Sequence, residues 1–149
     1  MKYKYIHIIN SLDLKYGGPS VVISNLALSQ KKLGHDVSII STYLNDKEFN
    51  DVQNQIKYLI ENDLNVFLFK AFSFYRLSLG LIKVLLASDK KAIFYFHGLY
   101  RWPTTIGAYI CRLNNLSYVI RVHGALDPYL FRKSLKGKTF YFLKKLSEK

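Results

Sequence analysis

Six residues, Lys15-Tyr16-Gly17-Gly18-Pro19-Ser20, stand between an apolar run, Tyr3 to Asn10, and an amphipathic one, Val21 to Leu33. Two glycines permit positive φ and let another group come close to the backbone. Pro19 suits the first turn of a helix, where the N–H it lacks has no partner in any case. A strand that turns here into a helix presents N–H groups to open space, and such an end attracts anions, phosphates above all. Two further pairs, His97-Gly98 and His123-Gly124, each close an apolar run. Histidine titrates near neutrality and can donate to a sugar hydroxyl or phosphate, or shuttle a proton. Each feature alone has a plain structural explanation, a tight turn or a histidine ending a strand. Their convergence is what points to a ligand edge.

Other chemistries lack their residues. No G-x-G-x-x-G follows the first apolar run, and Ser41 and Thr42 stand where a dinucleotide-binding fold places an acid. No G-x-x-x-x-G-K-S/T loop is present, and no Cys/His cluster has metal-ligand spacing, so no metal is expected. His7, inside an apolar run, and His35, just after Gly34, read as structural. Cys111 is the single cysteine and reads as a buried, inert thiol, in keeping with a reducing cytosol.

The elements that must position these groups follow from periodicity. Short β-branched and aromatic runs at Tyr3–Asn10, Asp36–Ser41, Leu64–Phe69, Ala92–His97 and Ser117–Val122 read as strands. Between them, helical spacing runs over Val21–Leu33, Asn45–Asn62, Arg76–Ser88 and Arg101–Asn114, with Gly34 as a stop and Pro103 in a first turn. Tyr129–Lys149 reads as one or two short helices broken near Gly137. Strand alternating with helix implies right-handed crossovers and an α/β, Rossmann-like, doubly wound parallel sheet, with residues 1–149 one domain. Ligands bind beyond the C-terminal ends of strands in such sheets, which is where both His-Gly pairs and the glycine turn fall.

Charge is uneven. The net +12 divides equally between residues 1–120 and the much shorter 121–149. Tyr129–Lys149 mixes aromatics with lysines and Arg132, a composition suited to an anionic membrane surface. The plainer alternative buries the aromatics on the sheet and leaves the lysines solvated. No signal peptide is visible, and Leu77–Ala87, interrupted by Lys83, is too short to cross a bilayer.

In order along the chain, YIHIINSLDLKYGGPSVVISNLALSQKKLGHDVSIIST, FYFHGLYRWP and VIRVHGALDPYLFRKSLKGKTFYFLKKL resemble glycosyltransferases of the GT-B fold, family 4 type. The resemblance spans nearly the whole chain, with residues 43–75 matching poorly. It implies two Rossmann-like domains facing a cleft. The N-terminal one mainly binds the acceptor, and the C-terminal one holds the nucleotide-sugar through a paired-glutamate motif. It also implies sugar transfer with retention, without a metal or other cofactor. By match of position, Gly17 and Gly18 would meet the donor diphosphate through backbone N–H groups. His123 would be the catalytic candidate beside the transferred sugar, and His97 and Arg121 would line the cleft.

Glu48, Glu61 and Glu148 are scattered, and the paired-glutamate motif is missing. The chain stops at Lys149 where the family continues into its second domain. The expectation is therefore an N-terminal acceptor-side domain, inactive alone, whose partners are the missing donor-binding domain and a saccharide or lipid-linked acceptor. The expected location is the cytoplasm, at the inner face of the plasma membrane, with peripheral contact through Tyr129–Lys149 and no nucleic-acid partner. The alternative, from another class, is a non-enzymatic basic Rossmann-like module that binds nucleic acid or other anions in a salt-dependent way.

Overall fold

Residues 2–73, 75–124 and 126 are described by the computed structural model. Five strands, β1 (Lys4–Ile9), β2 (Asp36–Tyr43), β3 (Asn65–Lys70), β4 (Ala92–His97) and β5 (Ser117–Arg121), form one all-parallel sheet in the order β3-β2-β1-β4-β5. Parallel neighbours need crossovers. Here they are α1 (Gly18–Lys32), α2 (Asp46–Asp51) with α3 (Gln53–Glu61), α4 (Leu79–Ala87) and α5 (Trp102–Leu113).

Helices cover both faces of the sheet. On one face Ile6, Ile8, Ile40, Phe94 and Phe96 pack against Leu81 and Leu85 of α4 and Ala108 and Cys111 of α5. On the other, Ile9, Val37 and Ile39 pack against Ile23 and Ala27 of α1 and Leu59 of α3. Side chains alternate across a strand, so β1 must be apolar on both faces to serve both layers, and Ile6 through Ile9 are all buried. Each large side chain buried there stabilises the fold by about 1.5–3 kcal/mol. The α/β, Rossmann-like doubly wound architecture expected from the pattern is the one observed.

Two expected helices differ. The Asn45–Asn62 run is split at Val52, whose side chain is fully buried in the α1-side core. The helix expected from Arg76 begins at Leu79. Phe72 and Leu77 instead exchange both backbone hydrogen bonds, at 2.8 and 3.0 Å, and Arg76 takes φ 64°, which no right-handed helix accommodates.

Strand order reverses between β1 and β4. β1 leads outward to β2 and β3, and the chain then crosses back to β4 and β5. The C-terminal ends of β1 and β4 therefore splay their connections to opposite sides and leave a crevice, the customary ligand position in this architecture. All five residues of β5, at the sheet edge, are exposed. Among the described residues no helix is long and apolar enough to cross a membrane. Asp127, Pro128 and the basic aromatic stretch Tyr129–Lys149 lie outside the described residues.

Candidate functional site

The chain leaves β1 at Asn10 and is tied down at once. Ser20 Oγ donates to the carbonyls of Ser11 at 3.1 Å and Asp13 at 3.2 Å, fixing the first turn of α1 to the strand exit. Between them Asp13 caps a single 3-10 turn, Leu14–Tyr16, by accepting from the Lys15 N–H at 3.0 Å. Lys15 Nζ pairs with Asp13 and, at 2.8 Å, with Asp51 of α2. Gly17 sits at φ 84° as the N-cap of α1, Gly18 is the first helical residue and Pro19 the second. The Gly17 N–H donates to the Leu14 carbonyl at 3.0 Å, so that backbone donor is already engaged. A Cβ on either glycine would meet nothing within 4 Å.

Across the crevice stands a chain of histidines. Gln30 Oε1 of α1 lies 2.6 Å from His7 Nε2, His7 Nδ1 lies 3.0 Å from His97 Nε2, and His97 Nδ1 lies 2.9 Å from His123 Nε2. Register explains the meeting. His97 pairs with Ile9 on β1, so His7 and His97 are diagonal neighbours on the α1 side of the sheet. His123 follows Arg121, the β5 partner of His97, by two residues. His7 and His97 are wholly buried. Burial disfavours the imidazolium, taking His7 down to about 4 despite the Gln30 hydrogen bond. Burial, then the charges of His7, His123 and Arg121, take His97 down to about 3. Burial and Arg121 also lower His123. At neutral pH all three rings are neutral.

A second buried network closes the far side. Glu48 Oε1 accepts from Arg76 Nη2 at 2.7 Å and from Ser11 Oγ at 2.7 Å, and its Oε2 accepts from the Leu44 N–H at 2.9 Å. Arg76 Nη1 donates to the Thr42 carbonyl at 3.2 Å. Burial pushes the Glu48 carboxyl up, but the hydrogen bonds from Arg76, Ser11 and Leu44 and the Arg76 charge together hold it below the usual range. Burial and the nearby Arg76 guanidinium lower Arg101.

These walls enclose a cavity of about 160 Å³ at the switch point, bounded by Asn10, Tyr16, Ser20, Arg76, His97 and Arg101, with Gly98 at its edge. Asn10 lines this cavity, and its Oδ1 is buried without a hydrogen-bond partner among the described residues.

The candidate residues come together unevenly. His97 lines the cavity, and Tyr16, Pro19 and Ser20, the neighbours of Gly17 and Gly18, line it too. His123 reaches the cavity through His97 and is not itself in the wall, and Arg121 offers its carbonyl to the Gly98 N–H at 2.9 Å. His7, read as structural from its place inside a strand, is the inner end of the histidine chain and links it to Gln30. His35 accepts from the Tyr3 N–H at 3.3 Å and packs against Tyr3 and Tyr5, a structural role as expected. Arg76, Arg101 and Glu48 carried no sequence signal. Cys111 is buried, and burial pushes its thiol up to about 11. Among the described residues no group of His, Cys, Asp or Glu is arranged to hold a metal ion, and the three histidines point at one another rather than at a common centre.

No family model, no curated protein and no solved structure matches this chain.

Proposed function

We propose that this chain is the acceptor-side, Rossmann-like half of a retaining GT-B glycosyltransferase. In that enzyme a sugar passes from a nucleotide-sugar to a saccharide or lipid-linked acceptor in the synthesis of cell-surface polysaccharide or glycolipid. The observation that carries this reading is the crevice between β1 and β4. Tyr16, Pro19 and Ser20 of the glycine turn, Asn10 at the end of β1 and His97 at the end of β4 border one small space, and His123 stands behind His97. Neutral imidazoles suit hydroxyl groups, which need both donors and acceptors.

In this proposal Asn10 and His97 line the acceptor pocket, and His123 is the catalytic group beside the transferred sugar. The Gly18 N–H, at the positive end of α1, meets the donor diphosphate. The nucleotide and most donor contacts belong to a facing domain outside these 149 residues, and neither a metal nor another cofactor takes part. The site works at the cytoplasmic face of the membrane, where the basic, aromatic Tyr129–Lys149 contacts anionic lipid. Sedimentation with anionic but not neutral liposomes tests that part.

Titrating the ¹⁵N-labelled chain with saccharide and lipid-linked acceptors tests the main reading. Amide shifts at Ser20, Gly98 and Gly124, with no turnover of nucleotide-sugars, are the expected result. Turnover by the 149-residue chain would show that it holds the donor itself. Silence toward acceptors, with nucleic-acid binding that falls steeply with salt, would replace the enzyme by an anion-binding module.

A further inference from the structure

We infer that Gln30 and His7, neither of which lines the crevice, are positioning residues: through His97 they fix His123 as the tautomer with its proton on Nε2 and its lone pair on Nδ1.

The inference follows from counting protons along one chain. A neutral imidazole has one N–H and one acceptor nitrogen, and a ring bonded on both sides must donate on one and accept on the other. Gln30 Oε1 only accepts, so His7 donates to it from Nε2 across 2.6 Å. His7 Nδ1 is then a lone pair and accepts from His97 Nε2 across 3.0 Å. His97 Nδ1 accepts in turn from His123 Nε2 across 2.9 Å. His123 Nδ1, which has no hydrogen-bond partner among the described residues, is left as an acceptor. One amide oxygen on α1 thus sets the tautomer three rings away. The rings are neutral at neutral pH, so no imidazolium donates on both sides and breaks the order.

The backbone adds a second constraint. His123 has φ 47°, a left-handed conformation uncommon outside glycine, which persists where the surroundings over-determine it. Its ring stacks on His97 with centroids 5.1 Å apart, and His7 lies 5.1 Å from the Tyr95 ring. Direction and tautomer are therefore both fixed before any ligand arrives.

The value of a fixed His123 for sugar transfer rests on the function proposed above, but the tautomer is measured without it. Long-range ¹H–¹⁵N correlation of the imidazoles in the labelled 149-residue chain reads which nitrogen carries the proton. The wild type is expected to show His123 with a pyrrole-type Nε2 and a pyridine-type Nδ1. Gln30→Glu keeps an acceptor oxygen and leaves that signature unchanged. Gln30→Lys offers only donors, reverses every link, and moves His123 to a majority with the proton on Nδ1. Both substitutions fall at a half-exposed helix position, and intact sheet amide resonances verify the fold. A wild-type His123 protonated on Nδ1, or the same His123 tautomer in both variants, overturns the relay. A relay that follows Gln30 in a chain that binds no acceptor leaves the relay standing and removes the glycosyltransferase reading.

Discussion

Arg76 Nη2 donates to Glu48 Oε1 at 2.7 Å, and both side chains are under a tenth exposed. The pair joins α2 to the turn before α4, and through Ser11 it reaches the exit of β1. A buried pair adds little net stability against an apolar replacement, because desolvation opposes attraction. Removing one partner is different, since it strands a buried charge. Arg76→Met and Glu48→Ala are each expected to lower unfolding free energy by about 3–5 kcal/mol. The double variant should lose much less than the two together. Urea unfolding of all four proteins checks this, and additive single losses would mean the ion pair is not formed.

The histidine chain makes stability depend on pH. His7 has a folded-state value of about 4 and His97 of about 3, against 6.5 for a free side chain. Between 6.5 and those values the unfolded chain binds more protons than the folded one, so stability falls as pH falls. Above pH 6.5 these groups contribute a constant amount. Below it the loss grows until the folded rings themselves protonate, reaching about 3 kcal/mol for His7 alone. The urea midpoint is expected to be flat from pH 8 to 7 and to drop steadily from 6.5 to 4. His7→Gln, which cannot charge, should flatten that slope in part.

Much of the fold was legible because local signals agreed with the global one. Ala92–His97 was bounded correctly from its β-branched and aromatic run, and Gly34 ended α1 as a stop should. The site was legible only where a signal was local. The glycine turn and the His-Gly ends announce themselves in neighbouring residues. His7 does not, because a histidine inside an apolar strand looks like any other core side chain, and its partner is 90 residues away. The signal that could have found it was strand order. In a sheet reversing at β1, the strands β1, β4 and β5 are neighbours, and the parity of His7, His97 and His123 on them can then be compared. Glu48 and Arg76 had no such pattern, since α2 and the turn before α4 carry no shared period.

Two glycines inside helices separate packing from propensity. A Cβ built on Gly107 of α5 runs into the ring of Phe96, and one on Gly80 of α4 runs into Phe69. Alanine gains about 1 kcal/mol of helix propensity over glycine at either site. Phe96 is wholly buried beneath Phe94 and Tyr118 and has nowhere to move, so Gly107→Ala overpacks the core. A net loss of about 1–3 kcal/mol is expected. Phe69 is half-buried near the sheet edge and can swing aside, so Gly80→Ala should lie within about 1 kcal/mol of wild type. Equal losses at both positions would refute the difference in confinement.

Gly17 and Gly18 pose the same question at the mouth of the crevice, with a different answer. Gly17 holds φ 84° and ψ −147°, a region almost reserved to glycine that costs a residue with a Cβ about 1–3 kcal/mol, so Gly17→Ala should destabilise the fold by that amount. Gly18 is helical and directly precedes Pro19, whose Cδ crowds a Cβ on the residue before it in that backbone, so Gly18→Ala should lower stability modestly although no more distant atom stands in the way. The proline that follows gives the fold a reason for glycine at 18, and close approach of an anion to the first turn of α1 is a separate reason that binding can test. Titration with inorganic pyrophosphate is expected to shift the Gly18 amide resonance in the wild type and to lose that shift in Gly18→Ala at position 18. The Gly17 amide, engaged with the Leu14 carbonyl, should move little. An unchanged pyrophosphate response in Gly18→Ala would leave the double glycine as a turn and nothing more.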